Sequence, residues 1–377
     1  MAKLKTELSG KGSNIRVERE YAKRIGVRSP TTLSKARLDE AVRRRELELG
    51  ITREKYNIYD FTADERRSLG SAAYVKTSIQ MLTGFFKPFP EGDGILRRDP
   101  FSVIPENDVY VSLGLAEKYG MLPGDRVVGD VGVVPYNHRV RVLKNVRYIN
   151  EEPSTRRSER IPFDNIPAVV PSSRIRIYGN NAVLGIVQDI LCLGQGQSLV
   201  ISGLNESNAV IAENAAVDLL KGLYMSFEGN VFGIFDGVSE KCRYSLSSVV
   251  NPETMIIDGE PDEYAFLLEM MKRSVERKAP AAAVLYMPGS CAGEFAAAAK
   301  ATSDASLTVI ILTDESVPSQ ARMRLKGGLV EVKSLVNEGS AYVCGEQRHR
   351  KIFRVLSAVG DGTPDEVLAK FTELVEE

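Results

Sequence analysis

Histidine and cysteine are scarce in this 377-residue chain: His138 and His349 are the two histidines, and Cys192, Cys242, Cys291 and Cys344 the four cysteines. The cysteines lie far apart, with no C-x-x-C pair, so no metal site is expected. Reduced thiols in a cytoplasmic chain are the default expectation. No apolar run approaches the ~18 residues that span a bilayer, and the polar, basic start lacks the pattern of a secretory signal. A membrane is therefore not among the expected partners. Net charge is small as well, −1, but it is unevenly spread: residues 1–80 carry 18 Lys and Arg against 11 Asp and Glu. A basic arm ahead of a mildly acidic body fits a nucleic-acid partner, or else solvated helix faces such as Arg43, Arg44 and Arg45.

A hydrophobic share of 43% and a charged share of 26% are ordinary for a folded protein, and the length calls for two or three domains. Four segments can be read. Residues 1–80 form a basic helical region: 1–20 are polar, 21–26 and 33–49 read as helices, and 50–80 as a further helix and a linker. Ser34 can cap the second helix, whose apolar stripe is Leu38, Val42 and Leu49. Residues 81–150 hold five or so short strands between glycine and proline turns, which points to a small closed barrel of the oligonucleotide-binding, cold-shock-like kind. Residues 151–180 are a linker rich in Pro, Ser and Arg, with Arg156, Arg157, Arg174 and Arg176. Residues 181–377 alternate helices with near-continuous apolar strands at 231–235, 254–257, 281–285 and 307–312, as in a parallel sheet buried on both faces. A helix over 262–278 turns Phe266, Leu267, Met270, Met271 and Val275 inward. The fold class is thus multidomain, α+β and α/β.

The segment 195–218 reads as a buried strand, a loop and a helix, the place of a phosphate-cradling loop in a nucleotide-binding domain. Such a loop needs free backbone amides, a Lys for the β/γ-phosphates and a Ser or Thr hydroxyl for Mg²⁺. Here Gly203 is followed by Asn205, Glu206 and Ser207, while Asn208 stands at the Lys position and Ala209 at the hydroxyl position. A Glu206 carboxylate 4 Å from a phosphate would cost about 4 kcal/mol at an effective dielectric of 20. An ordinary strand-to-helix turn is the other reading of the same residues.

The order of parts resembles that of the bacterial transcription termination factor Rho, over roughly residues 20–350. The strings Gly84-Phe-Phe-Lys-Pro-Phe-Pro-Glu-Gly-Asp-Gly-Ile-Leu-Arg97, Asn107-Asp-Val-Tyr-Val-Ser112 and Leu122-Pro-Gly-Asp-Arg-Val-Val-Gly129 resemble successive landmarks of the Rho barrel. Ser198-Leu-Val-Ile-Ser202, Asp258-Gly-Glu-Pro261 and Ala305-Ser-Leu-Thr-Val-Ile310 continue the likeness into a RecA-like P-loop-type domain. Departures from the family lie at its chemistry. Where Rho has Gly-Lys-Thr this chain has Ser207, Asn208 and Ala209. No acid stands near Tyr286 or Met287 for Mg²⁺, Asp236 is followed by Gly237 in place of a catalytic Glu, and 287–306 is short where a pore-lining loop is expected.

The resemblance therefore implies a Rho-like paralogue with a degenerate pocket (Gly203, Asn205, Glu206, Ser207, Asn208, Ala209 and Asp236), no catalytic residue and no bound cofactor. It would act on termination by binding single-stranded RNA and by forming a ring, such as a hexamer, alone or mixed with Rho. Asp93 and Ile95 replace the aromatics on which Rho stacks bases, but Phe89, Arg97, Arg98, Tyr110, Arg126 and Arg139, with Arg141, remain to meet RNA. Lys326 resembles a pore residue that grips RNA, and Arg350 the arginine lent to a neighbour's ATP. Two other readings stay open: a divergent ATP-dependent translocase using ATP and Mg²⁺, in which Lys221 or Lys241 supplies the missing charge, and a self-assembling scaffold.

Overall fold

The computed structural model describes residues 19, 22–23, 26–48, 58–71, 80–98, 107–134, 137–154, 160–249, 254–257 and 261–376. The chain divides into two compact units, Met1–Ser158 and Glu159–Glu377. In the first, helices α1 (Lys35–Glu48) and α2 (Ala63–Ser71) precede strands β1 (Gln80–Pro88), β2 (Gly94–Arg97) and β3 (Val109–Val111), helix α3 (Leu113–Tyr119), and strands β4 (Arg126–Val134), β5 (Asn137–Ile149) and β6 (Glu152–Pro153). Leu38 and Val42 of α1 are buried with Ala22, as their spacing predicts; Leu49 and most of 1–25 lie outside the described residues.

Strands β3-β2-β1-β4-β5 pair in that order, and a parallel β3–β5 pairing closes them into a five-stranded barrel resembling the oligonucleotide-binding type. Leu82 and Phe86 of β1, Leu96 of β2, Val109 and Val111 of β3, and Val127 and Val131 of β4 fill it. Within β1, β3 and β4 these residues recur at every second or fourth position, the period that sends alternate side chains to one face.

The second unit is built on a sheet in the order β14-β13-β7-β12-β10-β8-β9. Its strands are β7 (Ser198–Ser202), β8 (Asn230–Asp236), β9 (Thr254–Ile257), β10 (Ala281–Tyr286), β11 (Lys300–Ala301), β12 (Ser306–Leu312), β13 (Ala321–Lys326), β14 (Leu329–Val330) and β15 (Val336–Asn337). From β13 to β9 every neighbouring pair is parallel. Strands β7 and β12 are buried along their whole length, which is why they read as unbroken apolar runs. After a four-residue helical turn, Ala182–Gly185, the helices are α4 (Ala209–Ser226), α5 (Glu240–Ser247), α6 (Pro261–Glu276), α7 (Gly289–Ala298), α8 (Ser340–Cys344), α9 (Glu346–Leu356) and α10 (Pro364–Glu376). Phe266, Leu267, Met270, Met271 and Val275 of α6 are buried. The 287–306 segment holds α7, β11 and the first residue of β12.

Part of the stretch read as linker is packed into this second unit. Arg160 pairs with Glu276 at 2.8 Å, Val169 N–H donates to Ala301 O at 2.9 Å, and Ile175 N–H to Leu193 O at 2.9 Å. Ile175 and Ile177 are fully buried, so apolar alternation overrides the loop-like composition around it. Among the described residues, no helix is long and apolar enough to cross a membrane.

Candidate nucleotide pocket and nucleic-acid interface

Strand β7 ends at the carboxyl edge of the parallel sheet, the edge where α/β folds bind ligands. Gly203 follows with φ +87°, and a Cβ there would stand 2.2 Å from Leu325 O, so only glycine fits. The loop that follows is closed by its own side chains. Asn208 Oδ1 accepts from Asn205 N at 2.8 Å, and its Nδ2 donates to Gly203 O at 2.9 Å. Asn205 Oδ1 accepts from Ser207 N at 3.0 Å and Ser207 Oγ at 2.6 Å. Gly203 N, Leu204 N and Asn208 N donate to Asp314 O, Thr313 O and Asn205 O. The amides of 203, 204, 205, 207 and 208 thus all point at protein oxygens. Asn208 is 1% exposed, and Ala209 begins α4 with a methyl group where a hydroxyl would hold a metal.

Acidic groups line the same edge. Glu213, buried one turn into α4, accepts from Ser239 N at 2.8 Å and Ser239 Oγ at 2.5 Å. Asp236, at the end of β8, accepts from the Tyr264 hydroxyl. Tyr286 ends β10; burial, then the charge of Glu213, pushes its hydroxyl up to about 12. Burial and Glu213 likewise push the Cys242 thiol up to about 11. Asp314 follows β12 and accepts from Gly289 N at 2.8 Å, at the start of α7. Burial alone would raise the Asp314 carboxyl, but this and its other hydrogen bonds outweigh burial and hold it below its ordinary value. Negative groups in these places repel a phosphate. Among the described residues no group of three or more His, Cys, Asp or Glu is placed to hold a metal.

Of the two lysines considered as replacements, Lys221 is out of reach. Lys221 is twelve residues beyond Ala209 on α4, roughly 18 Å along the axis at ~1.5 Å per residue, further than a lysine side chain reaches. Lys241 is exposed on α5. Glu213 was missed in the sequence reading; the signal was an acid between Ala212 and Ala215 on the buried face of a helix.

The barrel face expected to meet bases is covered by the chain itself. Ile58, Phe61 and Leu69, from the segment that includes α2, bury against Ile95, Tyr110, Val140 and Val142, with Phe89 at the margin. Tyr110 is 1% and Arg97 2% exposed. Arg97 donates to the Tyr59 hydroxyl at 3.2 Å, and that hydroxyl donates to Asp108 at 2.8 Å. Asp93, at a position where the resemblance calls for an aromatic, is buried and takes Arg66 at 2.8 Å; Arg66 also reaches Glu91 at 2.9 Å. The Arg66 guanidinium lies 4.2 Å from the centroid of the Phe89 ring, and Tyr59 meets that ring edge-on at 5.8 Å. Arg66 and Tyr59 were missed because charged residues in a weakly periodic stretch read as surface.

The other expected contacts are scattered. Arg98 is exposed beyond β2, Arg126 pairs with Glu151 at 3.0 Å, and Arg139 lies near the start of β5. Lys326 is exposed at the end of β13, ahead of Gly327 and Gly328, whose φ of +56° and +83° make the two-residue turn into β14. Arg350 is exposed on α9 and pairs with Glu346 one turn away at 3.0 Å.

Comparison with known proteins adds a partial relationship. No protein-family model matches the chain. The transcription termination factor Rho of Micrococcus luteus is 27% identical over 124 residues, 29% of this chain and 18% of that protein. Rho of Rhodopirellula baltica is 23% identical over 205 residues, covering 51% and 40%, and Rho of Haemophilus influenzae 24% over 206 residues, covering 52% and 49%. Over these stretches the chain is Rho-related. It spans less than half the length of each of these three relatives. Among solved structures, an ATP synthase subunit of Nanoarcheaum equitans aligns at TM-score 0.34 and 11% identity, over 52% of this chain and 62% of that one. An ATPase of a bacterial type III secretion system aligns at TM-score 0.37 and 7% identity, over 54% and 85%.

Proposed function

We propose that this chain is a Rho-related factor that regulates transcription termination without hydrolysing ATP. Its α/β unit would be a RecA-like domain with the nucleotide loop closed. It would act by binding single-stranded RNA and by assembling with itself, or with a working Rho, into a ring. The observation that carries this reading is the loop from Gly203 to Asn208, whose amides are held by Asn205, Asn208 and the end of β12. Phosphoryl transfer depends on positioning and charge neutralisation. Here Asn208 and Ala209 stand at the expected Lys and hydroxyl positions and no acid stands at Tyr286 or Met287, while Glu213 and Asp314 add negative charge at the pocket edge. In a mixed ring, a subunit with such a pocket would stall the shared motor, and Arg350 would meet a carboxylate in place of a phosphate.

The test is nucleotide turnover and affinity of the purified protein with and without single-stranded RNA. Turnover at background is expected, with no saturable ATP binding. The Asn208→Lys/Ala209→Thr double variant is expected to stay inactive, because the metal carboxylate is still missing. RNA-stimulated hydrolysis at the level of a working Rho would overturn the reading in favour of a divergent translocase.

A further inference from the structure

With the expected base-stacking face of the barrel occupied by residues 58–69, RNA contact needs another surface, and the second unit has one. In the extended segment 173–178, Ile175 and Ile177 are buried at 0% and 1%, Arg176 and Tyr178 are exposed, and the half-buried Arg174 donates to Gln188 O and Asp189. Both edges of the segment are tied down. Gln195 N–H donates to Ser173 O at 2.8 Å, Ile175 N–H to Leu193 O at 2.9 Å, and Ser226 Oγ to Arg176 O at 2.5 Å. Gln188 holds both polar groups of Ile177, accepting from its N–H at 3.2 Å and donating to its carbonyl at 2.7 Å. The facing wall is a π-helical turn, Ile186–Ile190, which sets Gln188 and Asp189 opposite the arginines; such turns recur at functional sites. Between the two walls lies an open cleft of about 550 Å³ lined by Ser173, Arg174, Arg176, Tyr178, Gln188 and Asp189.

The charges do not cancel. Asp189 is taken by Arg174 at 2.9 Å and by Arg348 of α9 at 3.5 Å, and Arg176 makes no ion pair among the described residues. Tyr178 is 55% exposed beside it. A guanidinium row ending in an open ring is the chemistry that holds phosphates and stacks a base, and a rigid segment presents it without ordering cost.

We propose that this cleft binds a nucleoside phosphate, free or within a single RNA strand, with Arg174 and Arg176 on phosphate oxygens and Tyr178 against a base. The inference rests on the reading that the chain binds RNA. The test is fluorescence anisotropy of a labelled single-stranded oligonucleotide titrated with the full-length chain across salt, with unlabelled mononucleotide as competitor. Arg176→Gln is expected to weaken binding about tenfold and to reduce the salt slope by about one. Tyr178→Ala is expected to weaken it about tenfold with the slope unchanged, and Tyr178→Phe to bind as the parent. Competition by mononucleotide identifies a single-nucleotide site, and competition by oligonucleotide alone a strand-tracking one; either supports the proposal. Parental affinity in both Arg176→Gln and Tyr178→Ala, with RNA still bound, overturns this site and leaves the RNA-binding reading standing. No RNA binding by the parent chain overturns both. Both side chains are exposed, so far-ultraviolet circular dichroism is expected to be unchanged in the variants.

Discussion

At the scale of single residues, Asn208 is the clamp of its loop. A residue at the Lys position of a phosphate loop would reach outward to a ligand, whereas Asn208 reaches inward and ties Asn205 to Gly203. Asn208→Ala is therefore expected to destabilise the second unit by about 1–3 kcal/mol, the cost of leaving partly buried polar groups unpaired. A lower denaturant midpoint with an unchanged slope is the expected readout; an unchanged midpoint would mean that the loop does not depend on this clamp. That positions 208 and 209 carry Asn and Ala, with neither a Lys nor a hydroxyl, is plain from the sequence. The use to which Asn208 is put is not, because an Asn side chain has both a donor and an acceptor and its partners are decided by the loop's path. Glu213 was hidden for a related reason: only the sheet beneath α4 makes its position internal.

At the scale of elements, the strands were the readable part. Unbroken apolar runs gave away β8, β10 and β12, and glycine and proline turns marked out the barrel strands. What composition concealed was α2 and the residues before it, where charge is high and periodicity weak. Burying Ile58, Phe61 and Leu69 is worth about 1.5–3 kcal/mol each, more in sum than the ~1–3 kcal/mol of stacking one base, so one base does not displace this cover. The Arg66–Asp93 ion pair ties α2 to the barrel at β2. Arg66→Ala is expected to cost about 3–5 kcal/mol, since it strands Asp93 as a buried charge, while Arg66→Met with Asp93→Leu should recover most of the loss. Amide hydrogen exchange in β2 and β3 is the measurement, with faster exchange expected in the single variant alone. Equal protection in Arg66→Ala and the parent would show that the apolar contacts suffice.

At the scale of the whole molecule, the division after Ser158 leaves each side with its own core. Fragments 1–158 and 159–377 are each expected to unfold cooperatively when made separately, followed by circular dichroism in urea; a fragment with no transition would show that its core needs the other. The closed loop also bears on which neighbouring sequences the protein can reach. Changing Asn208 to Lys removes two hydrogen bonds and places a cation where no phosphate yet sits, and changing Ala209 to Thr anchors a metal that no carboxylate holds. A Lys at 208 therefore costs the loop its clamp before it can grip anything, so the first step toward a phosphate-holding loop runs uphill in stability.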